Sequence, residues 1–223
     1  AGSNEKTITE TKKIFKKITK DLIFSNFIEA ELSKIYSNMY RYINFAIPNE
    51  MYLISKKMNA DFSKIRKIMK FNYPRNNGLA KAGFVGGPCL MKDSMQISYL
   101  FNNNKSLVNA AYETNEKLPE KIVQDLKKDK SYGAKIVGVL GLAFKPDNDD
   151  VRGSLAYKLI KILKKNKFKI LFSDPYVTIK NKVSEKKLIN DSKIIIIATN
   201  HSNYKNLKIP KSKKLIDISG FLK

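Results

Sequence analysis

The longest clean apolar run in the chain, KIIIIAT at 193–199, has the length of a strand and is too short to span a bilayer. Three comparable runs share its half of the sequence: AKIVGVLGLAF (134–144), FKILFSD (168–174) and KKLIDIS (213–219). Between the first two lies GSLAYKLIKILKKN (153–166), an amphipathic helix. Strands alternating with helices predict a parallel α/β sheet.

The first half reads as mostly helical. KTITETKKIFKKITK (6–20) places Ile8, Ile14, Phe15 and Ile18 at helical spacing, and DLIFSN (21–26) reads as a short strand. A long helical pattern covers 27–58, where Pro48 is expected to kink or interrupt it. ADFSKIRKIMK (60–70) is a helix with Asp61 as its N-cap, and NYPRNNG (72–78) is a turn cluster. A glycine loop then runs into a helix within 82–97, and 106–128 predicts one helix, or two broken at Pro119. The domain boundary is expected within 104–130.

Hydrophobic residues make up 43% of the 223, enough to bury a core. The net charge of +23 invites nucleic acid, but the lysines are scattered through every segment rather than gathered into a basic stripe interleaved with aromatics. No nucleic-acid partner and no membrane partner is therefore expected, although a positive field favours an anionic ligand such as a nucleotide diphosphate. The opening AGSNEK has no initiator Met and reads as a cloning remnant, so the chain is expected to be a fragment. The single cysteine cannot form an intrachain disulfide, which predicts a reducing, cytoplasmic setting. Without a Cys/His cluster no metal site is expected.

That cysteine, Cys89, follows Gly86, Gly87 and Pro88, where a helix begins. The partial positive charge of a helix N-terminus favours a thiolate, the nucleophilic form. Lys92 adds positive charge one turn on, and Asp93, four residues after Cys89, shares its helix face and could activate water. Lys34 and Asn38 are also four apart and can donate to an oxyanion, though alone they read as a solvated helix face. His201 is read as a structural or capping histidine.

Three stretches together resemble the UDP-glucose/GDP-mannose dehydrogenase family. GFVGGPCLMKD (83–93) is similar to its G-x-G-G-x-C-x-x-K-D signature. EAELSKIYSN (29–38) is similar to the stretch carrying its Lys and Asn. LGLAFKPDNDDVRGS (140–154) is similar to the G-x-x-F-K-x-D-x-D-D-x-R-x-S that opens its nucleotide-binding domain, and SDPYV and IDISGF agree with later strand ends. The resemblance implies an all-helical central dimerisation domain followed by a Rossmann-like parallel α/β domain. It divides the chain into 1–26 (the end of an NAD-binding domain), 27–112 (the helical part with Cys89) and 113–223 (the UDP-sugar-binding part).

It further implies an NAD-dependent oxidation of a sugar C6 alcohol to a carboxylate, with UDP-glucose the first expectation for the substrate, UDP-N-acetylhexosamines and GDP-mannose the alternatives, and the Lys92-Asp93 pair after Cys89 weighing against the acetamido-sugar branch. Cys89 would attack the C6 aldehyde, Asp93 would assist hydrolysis of the thioester, and Lys34 and Asn38 would stabilise the oxyanion. Gly78, Leu79, Ala80, Lys81 and Ala82 would run along the nucleotide, with Gly86 against the sugar. Lys145 would reach the substrate, and Arg75 the sugar nucleotide of a partner subunit in a homodimer built on the central helices. Arg152 and Lys92 would face NAD.

The sequence departs from the pattern in two places. Met91 stands where the family usually has Pro, and no G-x-G-x-x-G occurs anywhere. The chain alone is therefore expected not to turn over substrate. A non-catalytic nucleotide-sugar-binding or dimerisation module is the alternative.

Overall fold

The computed structural model describes residues 2, 4–100, 106–128 and 136–222. The ends of the expected boundary region, and residues 134 and 135 of the first predicted strand, lie outside them.

Helix α1 (Glu5–Phe15) is capped by Asn4, whose side chain accepts the Thr7 N–H at 2.9 Å, and it buries none of its residues. Residues 21–26 are not a strand. They pair with no strand among the described residues, and Ile23 is 95% exposed.

Helix α2 (Phe27–Lys57) opens with a capping box between Asn26 and Glu29. It runs through Pro48, which does not interrupt it. The helix loses the hydrogen bond that Pro48 cannot donate, but Tyr42, Ala46, Pro48 and Asn49 are all buried, so tertiary packing carries it past the proline.

Helix α3 (Phe62–Lys70) starts at the predicted cap, Asp61 accepting the Ser63 N–H at 2.9 Å. A short 3₁₀ turn (Pro74–Asn76) leads to α4 (Pro88–Ser98). The 106–128 pattern resolves into α5 (Leu107–Glu116) and α6 (Leu118–Lys128), with Pro119 in the first turn of α6, where a missing N–H costs nothing. Helices α4 and α5 both pack on α2.

The second half is a four-stranded, all-parallel sheet in the order β2-β1-β3-β4, built from β1 (Ile136–Leu140), β2 (Lys169–Ser173), β3 (Ile194–Ile197) and β4 (Lys214–Asp217). Helix α7 (Leu155–Lys165) links β1 to β2, and α8 (Glu185–Asp191), which the sequence reading missed, precedes β3.

The four isoleucines of β3 divide between the two faces. Ile194 and Ile196 pack with Val137, Val139, Ile122 of α6 and Leu159 of α7, while Ile195 and Ile197 pack with Leu188 of α8 and Tyr204. Each such side chain, fully buried, is worth roughly 1.5–3 kcal/mol. Phe62 and Ala82 from the helical half join the first face, so the two halves share one core. No helix among the described residues is long and apolar enough to cross a membrane.

Candidate active site

Pro88 occupies the first turn of α4, and Gly87 precedes it with φ 107°, a left-handed conformation that favours glycine. A Cβ on Gly87 would meet the Phe144 ring at 2.9 Å, and one on Gly86 would meet the Gly153 carbonyl oxygen at 2.8 Å. The two glycines thus let the cysteine loop press onto the loops around β1 and α7, where the Gly87 N–H donates to the Gly153 carbonyl at 3.3 Å. Cys89 follows, exposed and unoxidised, in the first turn of α4.

Cys89 opens onto a cavity of about 570 Å³ with three walls. Helix α2 contributes Lys34, Asn38, Arg41 and Phe45, the cysteine loop contributes 84–90, and the segment after β1 contributes Phe144, Lys145, Pro146, Asp150 and Arg152. Asn38 donates through Nδ2 to Asp93 Oδ2 at 2.6 Å, and Lys34 Nζ stands 3.6 Å from the same oxygen. Asp93 therefore gathers Lys34 and Asn38 from behind, without itself lining the cavity. Its Oδ1 makes no hydrogen bond among the described residues.

Arg152 grips Asp150 with two nitrogens, Nε to Oδ1 at 3.0 Å and Nη2 to Oδ2 at 2.7 Å. These bonds hold the Asp150 carboxyl down at about 2. Lys145 lies over the Phe144 ring, 5.5 Å from its centroid. Lys34, Arg41, Lys145 and Arg152 face one acid, Asp150, around the cavity, a balance suited to a phosphate-bearing ligand.

A second cavity, about 180 Å³, sits at the carboxyl ends of the strands. Lys81, Ala82, Gly83, Phe84 and Val85 form one side, and Phe144, Thr199, Asn200 and Ser219 are among the residues opposite. In a parallel sheet this is the ligand crevice, and the strand order reverses here between β1 and β3. Arg66 pins the strip leading in, donating to the carbonyls of Leu79 (2.6 Å) and Ala80 (2.9 Å).

Below the crevice His201 is fully buried. Its Nδ1 accepts the Asp147 N–H at 3.0 Å, so Nε2 carries the proton and donates to Asp174 Oδ2, also at 3.0 Å. It is a structural histidine, as the sequence indicates.

The structure thus brings Lys34, Asn38, Gly86, Cys89, Lys145 and Arg152 around one cavity and Lys81 and Ala82 around the next. Gly78, Leu79, Ala80, Arg75 and Lys92 line neither cavity; Gly78, Arg75 and Lys92 are exposed. Arg41 and Phe45 escaped the sequence reading. Their signal was the helical spacing, three and seven residues beyond Asn38 on the same face. Arg66 gave none, because its partners are backbone carbonyls.

Residues 28–117 match the central-domain model of the UDP-glucose/GDP-mannose dehydrogenase family, and residues 138–223 match its UDP binding domain. The chain is 33% identical over 159 residues to the UDP-N-acetyl-D-mannosamine dehydrogenase of Campylobacter jejuni, covering 70% of this chain and 39% of that protein. It is 27% identical to the UDP-glucose 6-dehydrogenase of Rickettsia bellii, covering 91% and 52%. The solved UDP-D-ManNAc dehydrogenase of Pyrococcus horikoshii superposes with a TM-score of 0.85 at 28% identity, over 98% of this chain and 55% of that one. The chain spans about half the length of such relatives, which are nucleotide-sugar dehydrogenases. With both domain models matched in order, and the cysteine loop and the strand-end crevice meeting at adjoining cavities, the chain belongs to the UDP-glucose/GDP-mannose dehydrogenase family.

Proposed function

We propose that this chain is the thiol-bearing and substrate-binding part of an NAD-dependent UDP-sugar 6-dehydrogenase. The observation that carries the reading is the larger cavity, where Cys89 at a helix start shares its walls with Lys34 and Asn38 beneath a cationic rim. The boundary belongs after α5 rather than at 112/113: α5 packs on α2 and α4, so the thiol-bearing part runs through Glu116, and the nucleotide site draws on both parts. The burial of Leu118, Ile122 and Leu126 in the sheet's core supports placing α6 with the second part.

The Cys89 thiolate adds to the aldehyde carbon at C6, and the carbonyl electron pair moves to oxygen. Lys34 and Asn38 supply donors for that oxyanion. Loss of the C6 hydride from the thiohemiacetal leaves a thioester. Water attacks the thioester, expels the thiolate and leaves the carboxylate, its proton passing by a second water to Asp93, which stands behind the cavity wall. NAD, when bound, accepts the hydride at each of the two oxidations. Arg152, held by Asp150 at the cavity rim, and Lys92, exposed on α4, suit the phosphate end of such a dinucleotide. Lys145 and the 78–82 strip bind the UDP-sugar, with Gly86 against the sugar and Arg75 reaching a partner's substrate.

Two sugars compete. UDP-glucose is the expectation from the Lys-Asp pair after Cys89. UDP-N-acetyl-D-mannosamine is favoured by the names of the relatives from Campylobacter jejuni and Pyrococcus horikoshii. A thermal-shift panel with UDP, GDP and both UDP-sugars separates the readings. UDP compounds should raise Tm by amounts following RT ln(1 + [L]/Kd), and GDP should not. A non-catalytic nucleotide-binding module would bind alike but show no thiol chemistry. No shift with any UDP compound would sink the assignment of the crevice.

A homodimer through α2 belongs to the same proposal. At 100° per residue, Tyr36, Tyr40, Ile47, Ile54 and Met58 fall within about 40° of one another, opposite Lys34, Asn38 and Arg41. All five are exposed, an apolar stripe of a kind that monomers seldom display. Sedimentation at micromolar concentration should give a dimer, and Ile47→Glu should give a monomer. A wild-type monomer would count against it.

A further inference from the structure

Two amide side chains among the described residues are fully buried in the helical half without belonging to either cavity, Asn49 on α2 and Asn115 on α5. Asn115 Nδ2 donates to the Tyr42 carbonyl at 3.1 Å, Asn49 Nδ2 donates to Asn115 Oδ1 at 2.9 Å, and Asn49 Oδ1 accepts the Gly83 N–H at 2.8 Å. The ends of this relay fix its direction. A carbonyl at Tyr42 demands a donor and an N–H at Gly83 demands an acceptor. Turning either amide over would set donor against donor and acceptor against acceptor in a dry site, where an unmade bond is costly.

Gly83 is the point at which this matters. It stands between Ala82 and Phe84 at the crevice, and from Phe84 onward the chain forms the cysteine wall of the larger cavity. The relay starts at Tyr42 and passes back through Asn49, both on the helix that carries Lys34 and Asn38, before it ends at Gly83. It therefore sets the spacing between the oxyanion donors on α2 and the loop that delivers Cys89.

We propose that Asn49 and Asn115 are positioning residues, whose amide relay to the Gly83 N–H holds the nucleotide strip and the cysteine loop in register with α2. The part of this that concerns UDP rests on the proposed function; the part that concerns the thiol does not.

Because Cys89 is the only cysteine, iodoacetamide alkylation reads it alone. The rate should be followed against pH, with UDP affinity from thermal shift, for wild type, Asn49→Leu, Asn115→Leu and Asn49→Asp. Leu163→Ala, a cavity in the sheet core, serves as the control for plain destabilisation. Asn49→Leu and Asn115→Leu should move the midpoint of the alkylation profile by roughly half a pH unit or more and weaken UDP about ten-fold, since small misplacements of a site are costly. Asn49→Asp, which keeps the acceptor for Gly83, should recover most of both, and Leu163→Ala should lower Tm while moving neither.

If Asn49→Leu does not fold, Asn115→Leu carries the same test, because Asn115 hydrogen-bonds to Tyr42 and Asn49 and reaches the loop only through Asn49. Folded relay variants with a wild-type profile and UDP affinity within two-fold of wild type would overturn the inference. So would an Asn49→Asp chain no better than Asn49→Leu. If wild type binds no UDP, the functional reading fails while the alkylation profiles still decide the relay.

Discussion

On the proposed function, replacing Cys89 by alanine is expected to lower the rate of carboxylate formation by at least about 10³-fold, the scale on which losing a covalent nucleophile falls. The loss should appear in kcat, because in the proposed mechanism Cys89 reacts with the sugar's C6 and holds none of the nucleotide. UDP should accordingly raise Tm of the variant as much as that of wild type. Serine is the sharper substitution, since it keeps the shape of the side chain but not a readily formed anion, and it should be nearly as slow as alanine. The measurement is the steady-state rate of NADH formation at saturating UDP-sugar. A variant retaining a tenth or more of wild-type kcat would remove Cys89 from the chemistry and leave the chain with the binding-module reading.

Cys89 was legible because glycine, proline and a lone thiol in succession are each rare in so lysine-rich a sequence. The spacing of Lys34 and Asn38 gave a helix face, but not what that face meets. Only the fold shows Asp93 drawing both residues to one carboxylate oxygen. The strands were legible for a similar reason, as runs such as IIII have few alternatives. Residues 21–26 misled because Leu22, Ile23 and Phe24 are apolar enough for a strand but pair with no strand among the described residues. Helix α8 was missed because only Leu188 and Ile189 of its seven residues are buried, too few to set up a period. Asn49 and Asn115 could not have been found at all. A buried amide satisfied by backbone and by another amide looks, in sequence, like any polar residue on a helix surface.

The largest expected effect on stability lies at Asp174, which ends β2 beneath the crevice and is 2% exposed. Its Oδ2 accepts the N–H groups of Leu142 (2.6 Å) and Ala143 (3.2 Å) and the His201 Nε2–H (3.0 Å). Its Oδ1 accepts those of Tyr176 (2.8 Å) and Val177 (2.9 Å). Burial alone would raise this carboxyl, but the bonds from His201 and the backbone outweigh it and hold the group well below the usual carboxylate range. One carboxylate thus ties together the loops after β1, β2 and β3.

Asp174→Ala leaves five donors without their acceptor in a dry site, at a cost of roughly 3–5 kcal/mol. For a chain of this size that is a fall in Tm of roughly 6–20 °C. The pH dependence has a definite sign. A carboxyl depressed on folding contributes stability that is fully present above its unfolded value, about 4, and is lost as pH falls from there toward the folded value. Wild type should therefore lose stability more steeply below pH 4 than Asp174→Asn, which has no proton to take up. Urea melts at pH 7 and pH 3 test both statements, and equal midpoints for wild type and Asp174→Ala at pH 7 would refute the first. The same loops carry Phe144 and Thr199 to the crevice, and Thr199 is bonded through Oγ1 to the Ala143 carbonyl at 2.6 Å. A folded Asp174→Asn chain should thus bind UDP more weakly although residue 174 lies outside the cavity. That ordering, with stability and nucleotide affinity lost together while Cys89 alkylation stays unchanged, separates the crevice's foundation from the relay that holds the thiol.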